Sequence, residues 1–382
     1  MTPYATLTYF IILAVFLLPS IIAGLRGKTF KTYNACLTVV FLAIIFANQP
    51  LEAGSLILFT IWQAVLVKGY LTTRLKHNST GYFYGAMVLA ILPLALSKFA
   101  PFFTSGSLVG FLGISYLTFK AVQMIMEIRD GRIKEVSFYR FLRFLLFFPT
   151  ITSGPIDRYR RFEKDIEHTP TKDEYKNLLY TGVNRIFQGF LYKFIIGYLI
   201  HHYIMSSGPV QEHTFMGTWL YMYAYSMYLF FDFAGYSAFA IGVSYMLGIK
   251  TPENFNKPFI SRNIKEFWDR WHMTLSFWFR DYVYMRFVYF MIKKKVIKDR
   301  YLISYMGFLL NFLIMGIWHG PHVNYIVYGL YHAALFILFD LFERQNKKRR
   351  FWPQNRLTDC LAVIITFHFV CFGFLIFSGR II

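Results

Sequence analysis

Residues 311–322 read Asn311-Phe-Leu-Ile-Met-Gly-Ile-Trp-His-Gly-Pro-His322. They close an apolar run beginning near residue 301, close to the twenty residues that cross about 30 Å of hydrocarbon. His319 interrupts that run. An ionisable group at membrane depth is costly, and its presence is a functional hypothesis by default. Gly320-Pro321 then ends the helix, because proline cannot continue the hydrogen-bond ladder. A broken helix end is tolerated at that depth only where it is buried in protein or lines a cavity. The segment thus implies both a membrane helix and an imidazole at its break.

The rest of the chain repeats the pattern. Of its 382 residues 56% are hydrophobic and only 16% charged, against about a quarter charged in an ordinary soluble domain. Apolar runs near twenty residues recur along it, as expected of an all-α polytopic membrane protein. The net charge of +20 does not point to nucleic acid. Lys and Arg cluster at 26–31, 68–76, 129–177, 250–300 and 344–356, and are nearly absent around 49–54, 99–107 and 206–215. Alternation of basic and neutral loops is the positive-inside pattern. It puts the N-terminus and the C-terminus on the extracellular side of a cell membrane. The first run, Tyr4 to Leu25, lacks a basic leader and a cleavage site, and reads as a retained span. Cys36, Cys360 and Cys371 all lie within apolar runs, without metal-ligand spacing, and read as packing residues.

Spans are expected at about 4–25, 33–49, 55–71, 82–99, 107–128, 178–205, 215–247, 301–319, 323–343 and 357–379. The piece 138–151, basic on both sides and ended by Thr152-Ser-Gly-Pro155, is too short for a crossing and reads as re-entrant. The run 215–247 is over-long, so a break or kink is expected at Asp232-Phe-Ala-Gly-Tyr236. Residues 250–300 hold 12 basic and 5 acidic side chains among many aromatics, which suits short helices at the inner interface. One integral membrane domain results, with 1–90 as peripheral helices and 90–382 as the core.

Four constellations could carry chemistry. His319, beside Trp318 at the helix break, could act as a general base near neutral pH, or could simply bond a neighbouring carbonyl. In Lys265-Glu-Phe-Trp-Asp-Arg-Trp-His272, a helix would put Asp269 and His272 on one face, so that a carboxylate orients an imidazole. The same spacing also fits an interfacial aromatic belt with a structural ion pair. Ser153 lacks the G-x-S-x-G setting of a nucleophile, and its Gly-Pro neighbours read as a helix terminator. His201, His202, His332 and His368 are isolated ring positions, and no metal-ligand set emerges. The segment Met291-Ile-Lys-Lys-Lys295 can contact anionic lipid headgroups. With Val288, Met291 and Ile292 beside Lys293, Lys294 and Lys295, it could also dock an acidic cytosolic protein.

Glu266-Phe-Trp-Asp-Arg-Trp-His272, Trp318-His-Gly320, Ser153-Gly-Pro155 and Asp232-Phe-Ala-Gly-Tyr236 together resemble the membrane-bound O-acyltransferase family, from about residue 90 onward. Phe372-Gly-Phe-Leu-Ile-Phe-Ser-Gly379 is similar to its D-alanyl transfer branch in Gram-positive bacteria. The resemblance implies about 10–11 transmembrane helices with re-entrant and interfacial pieces around a central tunnel. It puts His319 deep within, whereas hydropathy puts it near the outer end of a span. The implied catalytic residues are His319 and His272, supported by Asp269, Trp318, Ser153 and Asp232. The implied donor is a D-alanyl thioester on the 4'-phosphopantetheine of a small acidic carrier protein in the cytosol. The chain itself would bind no cofactor and no metal. Lipoteichoic acid would be the acceptor, and a single-span protein and an extracellular membrane-anchored protein would assist. An O-acetyltransferase for an exported polysaccharide and a transporter or flippase of an anionic glycolipid are the alternatives.

Overall fold

The computed structural model describes residues 1–100 and 110–382, and among them every regular element is helical. The expected span 107–128 therefore begins outside the described residues. The chain divides into two compact units, residues 1–190 with 235–252, and residues 191–234 with 253–382.

The N-terminal unit opens with α1 (Leu7–Leu25), α2 (Lys31–Phe46), α3 (Pro50–Lys76), α4 (Thr80–Phe99) and α5 (Ile114–Arg129). α6 (Phe138–Leu145), α7 (Tyr159–Glu167) and α8 (Lys172–Gly189) follow. The expected re-entrant piece is α6 plus a 3-10 turn at Phe148–Thr150. At eight residues, α6 rises only about 12 Å, far short of a crossing. Its C-terminal carbonyls are satisfied from a neighbouring helix. The buried Lys120 ammonium of α5 donates to the carbonyls of Phe144 (3.1 Å) and Leu145 (3.3 Å) and to the Thr150 hydroxyl (3.4 Å). The Thr152 hydroxyl is bonded to that of Tyr236. Tyr4, fully buried, donates to the Pro149 carbonyl at 3.3 Å and stacks on Phe239. The break at 146–157 is thus held by side chains from three other segments.

The C-terminal unit begins with π-helical turns at Phe190–Gly197 and Ile200–Met205, then α9 (Gly208–Gln211). α10 (Phe215–Met246) contributes to both units and runs unbroken for 32 residues. The helix is not broken at Asp232–Tyr236, where the sequence suggested a break or kink. Gly235 interrupts neither the α-helical ladder nor the apolar run, and α10 is long enough to outrun the hydrocarbon thickness without breaking. Beyond α10 come α11 (Ile264–Trp268), α12 (Met273–Phe279), α13 (Met285–Lys294), α14 (Arg300–His319), α15 (Val323–Arg349) and α16 (Arg356–Phe377).

Seven described helices are long and apolar enough to cross a membrane: α1, α3, α4, α10, α14, α15 and α16. The protein is a multi-pass membrane protein. Of the other expected spans, 33–49 forms a helix of 16 residues, and 107–128 one of 16 residues carrying buried Lys120, Gln123 and Glu127. The expected 178–205 begins earlier, at Lys172, and changes to π-helical winding after Gly189.

Small residues set the helix spacing that positions the site. A Cβ at Gly316 of α14 would strike the Tyr325 carbonyl oxygen of α15, and one at Gly329 the Phe312 carbonyl oxygen. Such close approach is how helices associate where the surrounding solvent is as apolar as their side chains. The α14–α15 hairpin, with His319 at its bend, depends on both glycines. Gly329→Val is therefore expected to lower the melting temperature of the purified protein in detergent, by overpacking worth about 1–3 kcal/mol. An unchanged melting temperature would contradict this packing.

Candidate active site

Both histidines singled out in the sequence lie in the C-terminal unit, each at a helix break. α11 starts on an Asn263 cap, whose side chain accepts the Glu266 N–H at 2.9 Å, and stops after five residues. The chain then turns through 269–272, and α12 begins at Met273. His272 adopts φ 40°, ψ 51°, a left-handed conformation that is strained for a residue with a Cβ. Its neighbours hold it there. The Met273 N–H donates to the Asn254 carbonyl at 2.8 Å, and the Asn256 N–H to the Arg270 carbonyl at 2.9 Å. Trp271 is wedged between Phe255, 5.1 Å away, and Phe374, 4.8 Å away. The imidazole of His272 is 5% exposed and stands edge-on to Phe233 of α10, with ring centroids 4.7 Å apart.

This geometry corrects the pairing expected with Asp269. α11 ends at Trp268, so Asp269 and His272 share no helical face, and the Asp269 side chain is exposed. The Nδ1 of His272 instead meets the Asn254 Oδ1 at 3.2 Å, and the Thr274 hydroxyl donates to the same oxygen at 2.5 Å. The sequence expectation missed Asn254 altogether. It lies 18 residues upstream in the polar loop Thr251-Pro-Glu-Asn-Phe-Asn-Lys257, where neither periodicity nor composition marks it.

His319 is the last residue of α14, and extended backbone at Gly320 ends the helix as Gly-Pro predicts. The half-buried ring lies among Trp318 (4.5 Å), Phe377 (4.9 Å), Tyr325 (5.9 Å) and Tyr328 (6.3 Å). The end of α16 is pinned beside it, because the Asn324 side-chain amide donates to the Phe377 carbonyl at 2.8 Å. The two imidazoles are close enough to sense one another. Burial, and secondarily the charge of His319, push the His272 imidazole down to about 3. His272 is therefore neutral at physiological pH and a weak base, suited to hydrogen bonding rather than to holding a proton. Phe233 and Phe255 stand against the buried His272, while Phe377 and Tyr328 flank the half-buried His319.

The other expected residues fall elsewhere. Asp232 lies in the same unit but is ion-paired with Lys193, the lysine being the more sheltered of the two. Ser153 belongs to the N-terminal unit, where it hydrogen-bonds Tyr116. Of the docking residues, Ile292 and Lys293–Lys295 are exposed, whereas Val288 is half-buried against α14 at Gly307. Met291 turns inward at 8% exposure, since α13 presents that side to the protein. Tyr289, Phe290 and Val296 are the exposed apolar side chains there instead. His332 is fully buried and accepts from the Trp268 indole N–H at 3.2 Å, and His368 pairs with the Tyr223 hydroxyl at 2.7 Å.

The profile described as MBOAT, membrane-bound O-acyltransferase family, matches residues 112–379. The chain belongs to the membrane-bound O-acyltransferase family and is an acyltransferase. It is 58% identical to the teichoic acid D-alanyltransferase of Bacillus subtilis, over 100% of this chain and 98% of that protein. It is 47% identical to the teichoic acid D-alanyltransferase of Lacticaseibacillus rhamnosus, over 99% and 97% of the two chains. A probable alginate O-acetylase of Pseudomonas aeruginosa is 32% identical over 70% of this chain and 49% of its own length.

The His272 environment makes a titration prediction. Its folded pKa lies below the value of 6.5 for an exposed imidazole, so the unfolded chain takes up the proton first. The contribution to stability is complete above about pH 6.5 and declines as pH falls toward the folded pKa. The ring nitrogen shifts of labelled His272 are expected to stay those of neutral imidazole from about pH 8 to about pH 5. A ring that titrates near neutrality would contradict the burial.

Proposed function

We propose that the protein transfers D-alanine from the 4'-phosphopantetheine thioester of a small acidic carrier protein, at the cytosolic face, toward hydroxyl groups of lipoteichoic acid outside. The observation that carries this reading is the pairing of His272 and His319 at two helix breaks, in a chain that matches teichoic acid D-alanyltransferases over its whole length. Thioester-to-ester exchange needs a base and a dry site. In this reading His319 takes the proton of the acceptor hydroxyl as its oxygen attacks the thioester carbonyl. The tetrahedral adduct then collapses, the carbon–sulfur bond breaks, and the departing thiolate takes the proton back from the imidazolium. His272 positions the acceptor or stabilises the charged His319. Trp318, against the His319 ring, restricts its rotation, and Asp269, Ser153 and Asp232 serve only the framework. The chain binds no cofactor of its own; the pantetheine arm arrives on the carrier.

His319→Ala is expected to abolish D-alanine esters in the cell wall while the protein still reaches the membrane in normal amount. Normal ester content in that variant would overturn the assignment.

The exposed Lys293, Lys294 and Lys295, with Ile292, Tyr289 and Val296 beside them, suit an acidic partner and anionic lipid headgroups. We assign this surface to the carrier, which places it on the cytosolic side and both termini outside. A single-span protein and an extracellular membrane-anchored protein would complete the route to the acceptor. Reversing the three lysines to glutamate is expected to raise the KM for the charged carrier several-fold at low salt, with a smaller effect at high salt. A KM that does not move would remove the carrier from this surface.

The similarity to a probable alginate O-acetylase supports a second reading, an O-acetyltransferase acting on an exported polysaccharide. Purified carrier charged with labelled D-alanine separates the two. Transfer of the label supports the first reading, and labelled acetyl transfer without D-alanyl transfer supports the second.

A further inference from the structure

Asn254 is fully buried in the loop that precedes α11, and its side-chain oxygen is the meeting point of two polar groups. The Thr274 hydroxyl lies 2.5 Å from it and the His272 Nδ1 3.2 Å. The loop is fastened to the histidine turn on both sides, by Met273 N–H to the Asn254 carbonyl and Asn256 N–H to the Arg270 carbonyl. Asn254 therefore cannot drift from His272 without breaking backbone bonds. Its Nδ2 is buried and has no hydrogen-bond partner among the described residues. Leaving a buried donor unpaired is destabilising, so packing alone would favour an apolar side chain at this position.

We propose that Asn254 is a positioning residue that fixes the tautomer of His272, accepting its Nδ1–H so that Nε2 carries the lone pair. An amide oxygen has two lone pairs and accepts both the hydroxyl and the ring N–H. The hydrogen bond made by one ring nitrogen decides which proton the other carries. With Nδ1 committed to Asn254, proton exchange with a substrate hydroxyl or with His319 runs through Nε2. Thr274 acts at one remove, by orienting the amide. The charged group that acts on the ring is His319 from α14; on its own turn Asp269 is exposed and Arg270 is paired with Glu266, and Glu253 adjoins Asn254 in the chain. The wall contributed by α10 is neutral Phe233. This inference rests on the proposed acyl transfer only where activity is the readout.

The test uses the full-length protein in nanodiscs, with labelled histidine for nitrogen NMR and a D-alanyl thioester of the carrier as donor. The wild-type His272 is expected as the Nδ1–H tautomer, and Asn254→Ala as a mixture or as the Nε2–H form. kcat of Asn254→Ala is expected to fall about 10–100-fold, the usual effect of losing the partner that orients a functional imidazole, with KM for the carrier little changed. Asn254→Asp keeps an acceptor and adds negative charge. It is expected to recover most of kcat and to move the acid limb of the pH profile to higher pH, because a carboxylate favours the imidazolium. An Nε2–H tautomer in the wild type, or an unchanged tautomer in Asn254→Ala, would overturn the proposal. So would equal loss in the alanine and aspartate variants with no change in the pH profile, which marks a merely structural role. If the wild type shows the Nδ1–H tautomer and the alanine variant loses it, yet neither transfers D-alanine, the positioning stands and the proposed function falls.

Discussion

In hydrocarbon no water is available to satisfy an unpaired peptide group, so the backbone can leave the helix only where protein supplies the missing partners. Among the described residues, three breaks show such partners. After α6, the Lys120 ammonium takes the free carbonyls of Phe144 and Leu145. Between α11 and α12, the amides and carbonyls of residues 254, 256, 270 and 273 pair with one another. At the end of α14, Gly320 donates back to Gly316, and the glycine contacts of α14 with α15 bring the next helix close enough to cover the bend. Breaks are expensive in this solvent, and two of those that survive carry the paired histidines. A regular helix points its side chains outward along one cylinder. A turn such as 269–272, with His272 in a left-handed conformation, can direct an imidazole where no helix face would.

The constraint also explains what could be read from the sequence. Spans were legible because their length and apolarity follow from the thickness of the membrane, and α1, α3, α4, α14, α15 and α16 fall where the apolar runs lie. The end of α14 was legible because Gly320-Pro321 stops a helix by covalent geometry. The break allowed for in α10 does not occur, because a glycine within a long apolar helix weakens it without breaking it. The pairing of Asp269 with His272 failed for a related reason. Spacing of three residues means proximity only on a helix, and nothing in Phe-Trp-Asp-Arg-Trp announces that the helix stops at Trp268. Asn254 could not be read at all, since its role comes from a loop folding back over 18 residues to reach one ring nitrogen.

Burial separates the remaining ionisable groups by what they can do. Lysine, arginine, aspartate and glutamate carry full charge at neutral pH, and in a poorly solvated interior such charges must be paired. Here they are. Asp232 is held by Lys193, Glu127 by Arg160, Asp157 by Arg161, and Lys265 bridges Asp340 and Glu343. Most of these pairs fasten one segment to another, Asp157–Arg161 being local, and neither member can exchange a proton without stranding the other. Imidazole differs because it can be uncharged in such surroundings and still take up a proton when a reaction offers one. His272 and His319 are the pair that the fold brings within electrostatic reach of each other inside an aromatic enclosure. Their mutual influence disfavours two positive charges, so a proton gained by one lowers the tendency of the other to gain a second. Two imidazoles of which only one is charged at a time suit the proton transfer proposed above, in which a proton is accepted, held and returned.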